Sequence, residues 1–102
     1  MSAIQDTSGW GPAFWKFMHI CACTFPDPPT SEEVEVWRSC FANMAYLIPC
    51  EICSRYYANY ITENPLPRQI NRNNLSTWAF TLHNSVNKKL SKKLYTAKEY
   101  LS

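Results

Sequence analysis

Glycine is nearly absent, with two residues in a chain of 102. A chain this poor in it reads as helices rather than β-turns. No stretch shows the apolar–polar alternation of strands, and there is no internal repeat. Apolar runs stay below the roughly 18 residues of a membrane span. The net charge is only +2, too small to argue for a nucleic-acid partner. Histidine is limited to His19 and His83, and Cys50 and Cys53 have no second CxxC beside them. A structural zinc site would be short of its four ligands, so no metal is expected. The N-terminus lacks the charged and apolar regions of a signal peptide, which gives the expectation of a cytosolic chain. In that setting a CxxC is more often catalytic or metal-binding than structural.

What is present is aromatic surface, 15% of the chain, and seven prolines that punctuate it. Residues 1–102 fit one domain. The first helix is expected from about Gly11 to Phe25. Pro12 suits its first turn, Pro26, Pro28 and Pro29 stop it, and Trp15, Met18, Ala22 and Phe25 form one face. Thr30 and Glu33 make a capping box for a second helix, with Val34, Trp37, Phe41, Met44 and Ile48 on one side and Pro49 ending it. A third begins at the CxxC and runs to about Asn64, before Pro65, with Tyr57, Tyr60 and Ile61 on its face. Asn74 can cap a fourth, striped by Leu75, Trp78, Leu82 and Val86. Thr96 and Glu99 open a short fifth that includes Tyr100 and Leu101. The expected fold is all-α, a four-helix bundle with a short fifth helix.

The segment "PCEIC" (49–53) places a dithiol at a helix start. A thioredoxin-type CxxC needs a βαβ setting, which this pattern lacks. At a helix start Cys50 meets free backbone N–H groups and the positive end of the helix dipole, which favour the thiolate that attacks disulfides. Cys53, one turn on, can pair with it and face the bundle interior. A dithiol only exchanges electrons; repeated disulfide formation needs an acceptor, commonly a flavin.

Three segments, "WGPAFWKFMHICACTFP", "PCEICSRYY" and "WAFTLHNSVNKKLSKKLY", occur in this order. Together they resemble the Erv/ALR family of FAD-linked sulfhydryl oxidases. Trp10, Gly11, Trp15 and His19 match its WG-x-x-x-W-x-x-x-H opening, and Cys50 and Cys53 its CxxC. Trp78, His83, Asn84, Val86, Asn87, Leu90 and Lys92 match its last motif. The resemblance spans about residues 9–96 and is nearest in form to versions in large cytoplasmic DNA viruses such as asfarviruses and poxviruses. It implies FAD in the mouth of the bundle, a homodimer, and a cytoplasmic, viral setting. It implies that Cys53 lies against the flavin and that Cys50 meets the substrate. Trp10, Gly11, Trp15, His19, Trp78, His83, Asn84 and Asn87 would line the FAD site, with Lys92 near its phosphates. Electrons would pass from a thiol protein or relay protein through Cys50–Cys53 and FAD to molecular oxygen, giving hydrogen peroxide.

Without that resemblance, Trp15 and Trp78 would be ordinary core residues, and His19 and His83 satisfied partly buried ones. Lys88, Lys89, Lys92 and Lys93 would be a solvated helix end. The chain departs from the family pattern at Pro12, where many members have arginine, and at Tyr56, where a histidine is frequent. No cysteine follows Cys53. Cys21 and Cys23 point roughly 200° apart on a helix and cannot bridge there. With Cys40 they are expected to be buried thiols. The competing reading is a helical interaction module with a vestigial or structural CxxC.

Overall fold

The computed structural model describes residues 7–96, 98 and 99. Four α-helices make up the described fold: α1 (Thr7–Cys23), α2 (Ser31–Asn43), α3 (Glu51–Glu63) and α4 (Arg72–Lys89). No strand occurs among the described residues.

Helix α1 starts earlier than expected and takes Pro12 inside it. The ring's clash with the carbonyl four residues back falls on Ser8, in the first turn, where the backbone can still adjust. Trp10 and Gly11 thereby become helical. Thr30 and Glu33 do form the reciprocal cap of α2. That helix stops at Asn43, short of expectation, and tightens into a 3₁₀ turn, Met44–Leu47. Side chains of α3 take carbonyls at this end: Tyr57 Oη donates to Phe41 O at 2.5 Å and Ser54 Oγ to Ala45 O at 2.7 Å. The tighter turn puts Ala45 inside and Tyr46 and Leu47 outside.

Cys50 is the N-cap of α3. The cap of α4 is Asn71, not Asn74. Asn74 is its partner three residues on, each side chain accepting the other's backbone N–H, at 2.8 and 2.9 Å. Asparagine has here taken the part that glutamate or glutamine usually plays. Thr96 and Glu99 exchange the expected bonds: Thr96 N–H donates to Glu99 Oε1 at 2.9 Å and Glu99 N–H to Thr96 Oγ1 at 3.3 Å. Tyr100 and Leu101 lie outside the described residues.

The apolar stripes meet in one core. Met18, Ala22 and Phe25 of the first segment pack with Phe41, Tyr57, Leu75, Trp78, Ala79 and Leu82. Leu66 and Ile70, from the loop before α4, close it. Two arginines tie loops down. Arg38 Nη2 donates to the carbonyls of Pro67 and Arg68 at 3.0 and 2.7 Å, and Arg72 Nε to Phe25 O at 2.5 Å. The Arg72 bond joins the start of α4 to the end of α1, so the two helices lie antiparallel. They are the most extensively packed helix pair.

Candidate active site

Cys50 has extended backbone, φ −150° and ψ 119°, as an N-cap must. Its Sγ accepts the Cys53 N–H at 3.4 Å. Hydrogen bonds from the Cys53 side chain and then from the Cys53 backbone hold the Cys50 thiol below its ordinary pKa. Burial, and then the bond to Cys50, push Cys53 up to about 11. In the reduced pair Cys50 therefore holds the charge and Cys53 keeps the proton. A low-pKa sulfur is also the faster leaving group in disulfide exchange, which suits Cys50 to the release of a substrate.

Beside the pair opens a cleft of ≈ 1090 Å³. That is slightly above the usual range of small-molecule sites, about 300–1,000 Å³. Trp10, Gly11, Phe14, Trp15 and His19 of α1 form one wall; Cys53 and Tyr56 of α3 and His83, Val86 and Asn87 of α4 form the others. His83 stacks flat on Trp15, with centroids 3.9 Å apart and planes 6° from parallel. Its Nδ1 lies 2.9 Å from His19 Nε2. Burial, then the neighbouring His19 and Lys92, push His83 down to about 3, and burial also lowers His19. Both rings are thus neutral at pH 7, and one donates to the other.

Of the expected cofactor residues, Trp10, Gly11, Trp15, His19, Cys53, His83, Asn87 and Lys92 line this cleft. Cys50 stands outside it. Trp78 is not on its wall. Trp78 sits in the core, edge-on to Phe41, Tyr57 and Tyr60, with Nε1 donating to Asn64 O at 2.8 Å. Asn84 is off the wall too. It brackets Tyr95, Nδ2 donating to Tyr95 O at 2.7 Å and Oδ1 accepting Tyr95 N–H at 3.0 Å. Asn87 Nδ2 likewise donates to Lys93 O at 3.1 Å. The chain can turn back this way because Ser91 adopts φ 58°. Lys92 N–H then reaches Asn87 O and Ser91 N–H reaches Lys88 O, at 2.7 and 3.1 Å. These bonds bring Lys92, Lys93 and Tyr95 onto the cleft.

Sequence reasoning missed Phe14 and Lys89 as wall residues and gave Tyr56 only as a departure. Lys89 Nζ lies 4.5 Å from the centre of the Tyr56 ring, whose hydroxyl pairs with Ser85 Oγ. Helical spacing was the available signal, since Tyr56 follows Cys53 by three and Lys89 follows Val86 by three. The other thiols also need correction. Cys40 is exposed, being one position off the α2 stripe, and Cys21 and Cys23 are only half-buried. Among the described residues no group of three metal-ligating side chains converges.

A family profile described as "Erv1 / Alr family" matches residues 12–102. The chain belongs to that family. This Erv1/Alr chain is 36% identical over 91 residues to an FAD-linked sulfhydryl oxidase of African swine fever virus, covering 89% of its own length and 76% of the viral protein. It is 34% identical over 92 residues to a probable FAD-linked sulfhydryl oxidase of Acanthamoeba polyphaga mimivirus, covering 88% and 64% of the two. Its fold superposes on the crystal structure of the FAD binding domain of Erv1 from Saccharomyces cerevisiae with a TM-score of 0.85 and 27% identity, over 93% of this chain and 90% of that one.

Proposed function

We propose that this Erv1/Alr chain is an FAD-dependent thiol oxidase that makes disulfide bonds in protein or relay-protein thiols. One observation carries the reading: the helix-capping dithiol straddles the rim of an aromatic cleft, with Cys53 on the wall and Cys50 outside.

The residues present fit FAD. Trp10 Nε1 is buried on the cleft wall without a hydrogen-bond partner, a donor suited to a ligand oxygen. Gly11 is buried, yet a Cβ there would meet nothing within 4 Å, so the space beyond it is cleft. Trp15 and the neutral His19–His83 pair offer flat stacking surface and ring nitrogens. Lys92 supplies charge for a phosphate. Trp10, Gly11, Trp15, His19, Cys53, His83, Asn87 and Lys92 are thus proposed to hold FAD. Trp78 and Asn84 support the walls from behind.

Catalysis runs through the two sulfurs. A substrate thiolate attacks Cys50 of the Cys50–Cys53 disulfide, and Cys53 leaves as a thiolate. A second substrate thiolate then displaces Cys50, whose lowered pKa speeds its departure. FAD, held by Trp10, Trp15, His19, His83 and Asn87 beside Cys53, would supply a two-electron acceptor for the reduced dithiol, with molecular oxygen as the final acceptor and hydrogen peroxide as the product. Lys89 lines the cleft with Cys53 and favours its thiolate.

The chain is read as one domain acting as a homodimer. Phe17 and Val36 are exposed apolar side chains outside the core, of the kind a dimer buries. Among the described residues no helix is long and apolar enough to cross a membrane. A net charge of +2 gives no reason to add a nucleic-acid partner. The viral relatives support a host-cytoplasmic setting. The test is purification followed by flavin absorbance and oxygen consumption with dithiothreitol. Wild type should be yellow and active. Cys50→Ser and Cys53→Ser should keep the flavin and lose turnover. A colourless wild type would favour the interaction-module alternative, and near-normal turnover in either serine variant would remove the dithiol from the mechanism.

A further inference from the structure

The three most exposed large apolar side chains among the described residues are Tyr46 at 86%, Leu47 at 76% and Ile52 at 71%. All three fall within residues 46–52 and bracket Cys50. Scattered exposed leucines need no explanation, but a group of them around a reactive thiol does. The fold holds them outward. The 3₁₀ turn rotates Tyr46 and Leu47 away from the core, and the Ser54–Ala45 bond fastens that turn to α3. Ile48 and Ile52 also line the cleft beside Cys53, so the apolar surface continues from outside the site into it. Its charges cancel locally, because Glu51 and Arg55 pair with each other.

We infer that this surface docks the cysteine-bearing segment of the substrate and selects segments with aromatic or aliphatic residues beside the cysteine. The inference rests on the thiol oxidase reading. Exchange requires the substrate sulfur to bond Cys50 Sγ at about 2.05 Å as the Cys50–Cys53 bond breaks. Residues one or two places from the substrate cysteine, within about 7 Å of it along an extended chain, then have to lie near Cys50. The surface around Cys50 is apolar and carries no net charge, so apolar neighbours fit it and charged ones would be desolvated unpaired.

The experiment uses the flavin-loaded full chain and three substrates: dithiothreitol, a two-cysteine peptide flanked by Phe and Leu, and the same peptide flanked by Ser and Asn. Wild type should show kcat/KM roughly tenfold higher for the apolar peptide, as partial burial of one or two such side chains implies. The double variant Tyr46→Ser/Leu47→Ser should bring the apolar peptide down to the level of the polar one and leave dithiothreitol oxidation unchanged. Equal rates for the two peptides in wild type overturn the inference. So does a variant that slows dithiothreitol as much as peptide. Sedimentation of the same variant covers the remaining occupant: a dimer that dissociates on the double substitution assigns the surface to a second copy and overturns it too. Flavin-loaded wild type with no turnover of dithiothreitol refutes the oxidase reading itself, and this inference with it.

Discussion

Acid should loosen this fold well above the pH at which carboxylates titrate. Burial against Trp15 and His19 holds His83 at about 3, down from 6.5, and His19 is lowered as well. The unfolded chain protonates both rings near the ordinary histidine pKa, while the folded chain binds fewer protons below it. Stability is therefore complete above that value and is lost as the pH falls toward the folded value. At about pH 5, linkage gives about 2 kcal/mol for His83 alone, which solvent screening of a half-open ring reduces to about 1 kcal/mol. Glu99, whose pKa is lowered by its bonds to Thr96, acts only below its ordinary value of 4.5 and leaves this window clear. Urea unfolding of flavin-free protein, followed by tryptophan fluorescence, measures the loss between about pH 7.5 and about pH 5. His83→Phe keeps a flat ring against Trp15 but removes the titrating group, and should retain less than half of the acid effect. A wild type indifferent to this pH change, or a variant that loses as much as wild type, would refute a buried neutral histidine pair.

The two tryptophans separate cofactor from core. Trp78→Ala should destabilise the flavin-free protein by about 3–5 kcal/mol, as a core truncation does. Trp15→Ala should cost the flavin-free protein less but abolish most of the stabilisation by FAD, which is about 2.7 kcal/mol at a hundredfold excess over Kd; the readout is melting with and without FAD, and equal behaviour of the two variants would contradict their different placements. Native alkylation of the oxidised protein, with Cys50 and Cys53 joined, followed by mass spectrometry should label Cys40 first, because it is exposed, and Cys21 later, because burial raises its pKa. A Cys21/Cys23/Cys40→Ala variant should keep FAD and dithiothreitol turnover. Its failure to turn over while still folded and yellow would make one of the three a relay thiol.

The four described helices, their order and most of their buried stripes were legible because each segment repeats apolar residues at helical spacing between prolines. Met18, Phe41, Leu75 and Leu82 are core residues for that reason. Spacing could not separate Trp15 from Trp78. Both lie on apolar stripes, and only the packing of neighbouring helices sends one to the cleft and the other beneath it. The CxxC at a helix start was legible from Pro49 alone. The His19–His83 contact was not, since it joins α1 to α4 across the tertiary fold. Asn84 was read as a ligand contact but lies off the cleft wall and holds the chain reversal after α4, whereas Asn87 bonds that reversal and lines the cleft as well. Serine in the left-handed region gives no warning of that reversal, which glycine would have signalled.

The bond from Arg72 to Phe25 has a mechanical consequence. It fastens the end of α1 to the start of α4, and the His19–His83 contact adds a second tie part-way along. Two stiff rods joined this way act as tongs, pivoting at the fastened end. A small splay at the pivot grows with distance along the rods and is largest between the beginning of α1 and the end of α4. Trp10, Gly11 and the lysines following α4 occupy those tips. A splay at those tips would widen the cleft without unpacking Phe25 or Leu75 near the pivot.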